Sequence, residues 1–381
     1  MRTAESACSI QAVRSTPRKY RCAGAAFAFA VLLASGVLVH AAAEAPNDAN
    51  SSAAKDQKFA PPPLSVDTVV ERIAFGSCLH QANPQVIWRD VLVARPQLLL
   101  MLGDNVYGDF KDAAASELAA AYDAQQRQPE FRSVRTAVPM LAIWDDHDFG
   151  KNDGGAEFPH KRIAAELFHR FWGTKPERPA EEGLYYSRTF GVPGKFVQLI
   201  MLDTRSFRSL LKPKSDAFPF WGRYEPDPDP SKTILGPAQW AWLEAELAKP
   251  ADLRIIASSI QVLSEGHGWE RWGNFPVERD RLLRLLVSRN LGRVILLSGD
   301  RHSSAIYVTR SGDREIVEMT ASALNMVPPN PSQDARVAPL ASDVFTTENF
   351  GMLAVDWQHR TFTLSLIGLQ GRTLAERRGA F

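Results

Sequence analysis

Leu98-Leu99-Leu100-Met101-Leu102-Gly103-Asp104-Asn105-Val106-Tyr107 is the stretch on which the fold turns. Five successive apolar residues are too few for a typical helix. They also run straight into Gly-Asp-Asn turn chemistry, so they read as a strand covered on both faces. The same sequence pattern recurs along the chain. VERIAFGSC (70–78), MLAIWDDHD (140–148), KFVQLIMLDTR (195–205), LRIIASS (253–259) and RVILLSGDRH (293–302) are each apolar and then abruptly polar. Helical stretches alternate with them: PQVIWRDVLVAR (84–95), ASELAAAYDAQQRQ (115–128), PAQWAWLEAELAKP (237–250) and VERDRLLRLLVSRN (277–290). Apolar strands alternating with helices predict an α/β fold. The end differs. GMLAVDWQHRTFTLSLIGLQGRTLAERR (351–378) reads as antiparallel strands with turns at Gln358-His359 and at Gly371.

The polar endings carry the functional inference. In α/β sheets, ligands bind beyond the carboxyl ends of the strands. Five such ends offer metal-binding groups: Cys78; Asp104 with Tyr107; Asp145, Asp146, His147 and Asp148; Asp203; and Asp300 with His302. One acidic ending is ordinary turn chemistry. Five on one sheet would bring together carboxylates that repel unless cations neutralise them. The pattern therefore predicts a site for two or more metal ions. Each element also has a plainer reading. Asp104-Asn105 can be a turn with Tyr107 in the core, and Asp145–Asp148 a solvated charged run. Asp203 can be a buried structural carboxylate. Arg205 is either a phosphate clamp, through its fork of donors, or a structural partner of Asp203. Phenolate at Tyr107 points to ferric iron, and thiolate at Cys78 to iron or zinc rather than calcium. Asp146 would ligate a second metal, and His147 would give a proton or hydrogen bond to a phosphoryl or leaving oxygen. His80, His160, His169 and His267 read as surface or satisfied core residues. Gly191-Val192-Pro193-Gly194-Lys195 lacks the Ser/Thr and the glycine spacing of a phosphate loop.

Composition bounds the class. The chain has 381 residues, 44 basic against 43 acidic, with 45% hydrophobic and 23% charged. These are globular proportions, which exclude a disordered chain, a collagen-like fibre and a polytopic membrane protein. A net charge of +1 argues against a broad nucleic-acid footprint. Residues 1–21 hold Arg2, Arg14, Arg18, Lys19 and Arg21 against Glu5, and residues 22–43 carry no Asp, Glu, Lys or Arg. A basic start, an apolar middle and a run of alanines predict a signal peptide over 1–43, cleaved near Ala43. An uncleaved membrane anchor is the alternative. Arg18-Lys19 is only a weak echo of a twin-arginine signal. Residues 44–66, with three consecutive prolines, predict a flexible linker. Residues 67–381 predict one large domain, with two smaller ones as the alternative. Past the cleavage point Cys78 is the only cysteine, so no internal disulfide is expected.

The motifs GSC, GDNVYGD, WDDHDFGKND, LDTR, LGPAQWAWL and SGDRH, in that order over roughly residues 70–370, resemble the PhoD-like alkaline phosphatases of the calcineurin-like metallophosphoesterase superfamily. GDNVYGD is also similar to the Gly-Asp-x-x-Tyr element of purple acid phosphatases. The resemblance implies a layered β-sandwich flanked by helices. It also implies an exported enzyme, periplasmic or secreted, that hydrolyses phosphate mono- and diesters by a metal-bridging hydroxide. Fe3+ would be held by Cys78, Asp104, Tyr107 and His302, and Ca2+ would be reached by Asp104, Asp146 and Asp300. Asn152 is implied as a further calcium ligand, and His147 as the catalytic histidine. The superfamily's histidine near LRIIASS is replaced here by Ser258, Ser259 and Gln261, which suits an oxygen-rich calcium-type site. Residues 44–66 are too short for the accessory β-domain that some relatives carry, so none is expected and substrate preference does not carry over. Two other classes remain open from sequence: a secreted metal-binding or adhesion protein without turnover, and a mononuclear zinc hydrolase.

Overall fold

The computed structural model describes residues 60–287, 291–311, 314–328 and 334–381. The predicted signal peptide, and the linker as far as residue 59, lie outside the described residues.

The Leu98–Leu102 run forms β2, and all five of its side chains are buried. Beside it lie β1 (Arg72–Gly76) and β3 (Met140–Ile143), both parallel to it. The C-terminal strands β10 (Asn349–Asp356), β11 (Thr361–Gly368) and β12 (Thr373–Ala380) form an antiparallel meander that joins at β1. The first sheet thus runs β12-β11-β10-β1-β2-β3. The alternating burial of β11 marks a strand with one face in the core and one toward solvent.

The remaining strands do not extend that sheet, as a single-sheet reading of the strand ends requires. They build a second sheet from β4 (Tyr186–Phe190), β5 (Val197–Met201), β6 (Leu253–Ala257), β7 (Arg293–Ser298), β8 (Ala305–Ser311) and β9 (Arg314–Thr320). Their order is β4-β5-β6-β7-β9-β8, with β5, β6, β7 and β9 parallel and β4 and β8 antiparallel at the edges. The second sheet answers a need of the apolar runs. A strand buried on both faces needs cover on both, and here one face of each sheet is covered by the other sheet.

Phe75, Leu98, Leu100 and Leu102 of the first sheet pack with Met201, Ile255, Ile295 and Leu297 of the second. The outer face of the first sheet is covered by α1 (Ile87–Ala94), α2 (Ser116–Arg127), α3 (Pro129–Ala137) and α4 (Lys161–Trp172), through Trp88, Leu118, Phe131 and Phe168. That of the second is covered by α5 (Gly236–Leu247) and α6 (Pro276–Leu286), through Trp240, Leu243 and Leu282. The result is a helix–sheet–sheet–helix sandwich, and both sets of parallel strands deliver their carboxyl ends to the site described next. No helix among the described residues is long and apolar enough to cross a membrane.

Candidate metal centre

The strand ends converge, and they do so from both sheets. Beyond β1 comes Cys78, beyond β2 Asp104 and Tyr107, beyond β3 Asp145 and Asp146, and beyond β7 Asp300 and His302. The ligand atoms of Cys78, Asp104 and His302 lie within 4.8 Å of one another. Those of Asp104, Asp146 and His147 do so too, as do those of Asp145, Asp146 and Asp300. The Tyr107 hydroxyl joins the first group, donating to Asp104 Oδ2 at 3.2 Å and lying 2.8 Å from His302 Nε2.

The backbone explains how short turns aim these groups together. Cys78 (φ 61°), Asp104 (φ 49°), Asp300 (φ 72°) and His302 (φ 52°) all adopt the left-handed region that side-chain-bearing residues avoid. Each such residue costs about 1–3 kcal/mol and persists only where its surroundings enforce it. Cross-links between the turns do that enforcing. The Cys78 amide donates to Gly103 O, the Leu79 amide to Asp104 O, and the His302 amide to Ser322 Oγ, which also lies 3.1 Å from Cys78 Sγ. Gly103 (φ 99°) is required where the β2 turn passes β3, because a Cβ there would stand 2.5 Å from Asp145 Cβ.

The electrostatics describe a site with an excess of negative charge. Burial, together with Asp146 and Cys78, pushes the Asp104 carboxyl well above its usual range. Burial, together with Asp145 and Asp146, does the same to Asp300. Burial raises Asp145 too, to about 7, against the pull of Arg205. Burial raises the Cys78 thiol to about 11, and it lowers His302 to about 4, with help from His147 and Arg301, so that imidazole is neutral. Burial opposes charge on His147 as well, but Asp146 and Asp104 outweigh it and hold that imidazole up at about 11. Asp104 Oδ1 and Asp145 Oδ2 are buried without a hydrogen-bond partner. Two orphaned carboxylate oxygens among repelling carboxyls fit bound cations, since buried polar atoms otherwise find partners. The donors also fit in kind. Thiol, phenol, neutral imidazole and carboxylate surround one position, and carboxylates alone surround the other.

Several expectations are corrected by these contacts. Arg205 is fully buried and is not free to clamp a phosphate. Its Nε donates to Asp145 Oδ1 at 2.6 Å, its Nη2 pairs with the same carboxylate, and its Nη1 meets Glu270 Oε2 at 2.6 Å. Nor does its guanidinium pair with Asp203. That carboxylate instead accepts from the amides of Leu184, Arg205 and Ser206 and from Ser206 Oγ, a structural role. His147 is held by Asp109, with Nδ1 2.8 Å from Oδ1. Asp148 accepts from the amides of Asp145 and Asn105 and from the Tyr122 hydroxyl, and so braces the turn. Asn152 is exposed, whereas its neighbour Asp153 turns inward to group with Asp146 and Glu270. His80 belongs to the rim of the site, with its ring stacked on Tyr107 at 5.0 Å. His267 is a satisfied core residue: Nε2 meets Gln261 Oε1 at 2.8 Å, and Nδ1 accepts the Trp269 amide.

The sequence missed Asp109, Asp153 and Glu270. Asp109 and Asp153 lie within the quoted motifs GDNVYGD and WDDHDFGKND, two residues beyond Tyr107 and one beyond Asn152. Glu270 sits in an irregular loop, GHGWERW, that follows no apolar strand, so no periodic signal marks it.

A family model described as PhoD-like phosphatase matches residues 73–366. The chain belongs to this family. It is 24% identical over 278 residues to alkaline phosphatase D of Bacillus subtilis (strain 168), in an alignment covering 61% of this chain and 46% of that protein. The chain therefore spans about half the length of the curated relative it matches. Among solved structures, PhoD superposes with a TM-score of 0.63 at 16% identity, covering 84% of this chain and 70% of that one. Purple acid phosphatase PPD1 from yellow lupin (Lupinus luteus) seeds gives 0.58 at 11% identity, covering 84% and 55%. At these identities the likeness shows the fold, and it is the two-sheet sandwich just described. The PhoD-like family is one of phosphatases, so its chemistry is the hydrolysis of phosphoric esters. The matched span of the PhoD-like model contains every residue of the cluster from Cys78 to His302.

Proposed function

We propose that this chain is an exported, metal-dependent phosphoesterase whose centre is the cluster at the strand ends. The observation that carries the proposal is the pair of orphaned buried oxygens, Asp104 Oδ1 and Asp145 Oδ2, in a nest of mutually repelling carboxyls. Cys78, Asp104, Tyr107 and His302 would hold Fe3+. Asp104, Asp146 and Asp300, with the free oxygen of Asp145, would hold Ca2+. Asp104 belongs to both sets, which favours two cations over the single zinc of a mononuclear hydrolase. Asn152, being exposed, has no part in this reading, and Asp153 stands nearer the second set. Cations bound there acidify water and neutralise phosphoryl oxygens, which is the chemistry phosphoester hydrolysis needs.

The chain's own residues do the rest. Asp109 engages Nδ1 of His147 and leaves Nε2 as the nitrogen free to meet the substrate, so His147 delivers its proton or hydrogen bond from Nε2 to the phosphoryl or leaving oxygen. Tyr107 packs its ring 4.2 Å from that of His147 and limits its rotation. Arg205 acts at one remove by fixing the Asp145 carboxylate, together with Ser259 Oγ, which donates to Asp145 Oδ1 at 2.6 Å. Ser259 thus occupies the position after β6 with an oxygen in place of the superfamily's histidine. The predicted signal peptide over 1–43 would direct this chemistry outside the cytoplasm, to the periplasm or the medium.

The test is turnover of p-nitrophenyl phosphate and bis(p-nitrophenyl) phosphate by the purified mature protein, with elemental analysis of the same sample. Metal-dependent release of p-nitrophenol from either ester supports the proposal. A metal-replete protein that cleaves neither is a binding protein.

A further inference from the structure

The loop from Pro213 to Tyr224 lies beside the carboxylate cluster, and the hydrolytic chemistry above makes no use of it. Its two ends pair at Pro213 and Tyr224, and close to the second end Gly222 pairs with Gly268. The amides of Arg223 and Tyr224 both donate to Gly268 O, at 2.8 and 2.7 Å, and the Gly268 amide donates back to Trp221 O at 2.7 Å. Gly222 has φ +143°, and a Cβ there would stand 2.2 Å from the Gly268 carbonyl carbon, so the close approach needs glycine. This seam fixes the loop against the segment that carries Trp269 and Glu270.

The same seam ties the loop to the centre. The Tyr224 hydroxyl donates to Asp153 Oδ2 at 2.8 Å, and Arg223 Nη1 lies 3.5 Å from that oxygen. Asp153 and Glu270 in turn group with Asp146. From the far side, the guanidinium of Arg301 lies 5.8 Å from the Trp269 ring, and Arg301 sits between Asp300 and His302 in the chain. Trp269 is therefore one residue from the cluster on its own segment and one ring contact from it on another.

Upon this fixed base stands Trp221. Its ring centroid is 4.9 Å from that of Trp269, edge to face, and the residue is 52% exposed. It is the one aromatic among the exposed large hydrophobic side chains of the described residues. The exposed indole offers apolar area that a stacked group would remove from water. Arg223, whose side chain is 62% exposed, flanks the ledge with its guanidinium 5.5 Å from the Trp269 ring. A flat π surface with a guanidinium at its border is what a planar aromatic group stacks upon.

We propose that Trp221, supported by Trp269 and Arg223, is a leaving-group subsite that selects phosphate esters carrying a planar aromatic group, a nucleobase or an aryl ring. This rests on the phosphoesterase reading and names the substrate class of that centre.

The experiment compares kcat/KM of the wild type, W221A and W221F on two diesters. One is thymidine 5′-monophosphate p-nitrophenyl ester and the other is glycerophosphocholine, which has no aromatic group. W221A is expected to lose about tenfold on the nucleotide ester, through KM, since stacking on an aromatic side chain is commonly worth that much. Its loss on glycerophosphocholine is at least fivefold smaller, and W221F recovers most of the nucleotide-ester rate. Equal losses on both esters, or none on the nucleotide ester, overturn the subsite. If the wild type cleaves neither ester, the phosphoesterase reading fails only if p-nitrophenyl phosphate is left uncleaved as well, and calorimetric titration with thymidine 5′-monophosphate decides the subsite alone. An affinity about tenfold weaker in W221A supports it; no measurable binding to the wild type, or an unchanged affinity in W221A, overturns it.

Discussion

Nδ1 of His147 lies 2.8 Å from Oδ1 of Asp109, a residue 38 positions earlier and on the other side of β3. That contact assigns the two ring nitrogens different tasks. One is spent on orientation and the other is left for chemistry. H147A should lower kcat by about 10²–10⁴-fold, the usual worth of a positioned proton donor, while the metal content measured by elemental analysis stays at the wild-type level. D109N should lower kcat by less, because the ring remains but turns more freely. A D109N enzyme slower than H147A would show that Asp109 does more than orient.

Asp104 belongs to two of the ligand groupings, so its loss should reach both cations. D104N is expected to lose bound metal and turnover together, whereas C78S, which touches one grouping, should lose iron and keep calcium. A tyrosinate beside ferric iron absorbs visible light, so the purified protein should be coloured, and C78S bleached. A colourless wild type that contains zinc alone would remove Tyr107 and iron from the account.

Removal of the cations should lower thermal stability. Asp145 is then left repelling both Asp104 and Asp300, while Arg205 pulls against that repulsion at Asp145 and Asp300. A ligand that binds only the folded chain stabilises it in proportion to the logarithm of its concentration over its Kd. Chelation followed by stepwise addition of calcium should raise Tm progressively; a Tm insensitive to chelation would mean that the cluster is satisfied without metal.

Arg205 tests the difference between a clamp and a brace. Its guanidinium and both of its partners, Asp145 and Glu270, are buried. Breaking such a pair by removing one member costs about 3–5 kcal/mol, because an uncompensated charge stays behind. R205A should therefore melt far below the wild type in a denaturation curve. A clamp that gripped the phosphate would instead raise KM and leave stability alone.

His267, which belongs to none of the ligand groupings, carries a pH signature of its own. Burial, with Arg301 and Arg271 adding to it, holds its imidazole well below the ordinary value near 6.5. The folded chain thus keeps it neutral, while the unfolded chain protonates it as pH falls through that value. Its contribution is complete above about pH 6.5 and declines below it. The stability gap between wild type and H267N should narrow between pH 7 and pH 5. A gap that is constant with pH would mean the imidazole titrates alike in both states.

Most of this architecture could be read from the chain alone, and for a definite reason. Strands such as Leu98–Leu102 are buried on both faces, so their apolar runs are unbroken and their ends are marked by abrupt polarity. That made both the α/β alternation and the strand-end residues legible, and Cys78, Asp104, Tyr107, Asp146, His147, Asp300 and His302 do meet. Partition into two sheets was not legible from the runs themselves, because a two-sided strand looks the same whether a helix or a second sheet covers it. Pairing within the cluster was hidden as well. Whether Arg205 turns to Asp203 or to Asp145 depends on loop paths that no periodicity encodes. Glu270 was invisible for the same reason, since it arrives on a segment of irregular backbone beside Trp269.

Cys78, Asp104 and Asp146 come from one sheet, and Asp300 and His302 from the other. A cation gripped by both sets is thus a rivet through the seam between the two halves of the protein. Its departure would free each layer to breathe against the other along the interface that Phe75 and Leu297 share. Occupancy of the centre and rigidity of the whole sandwich therefore rise and fall together.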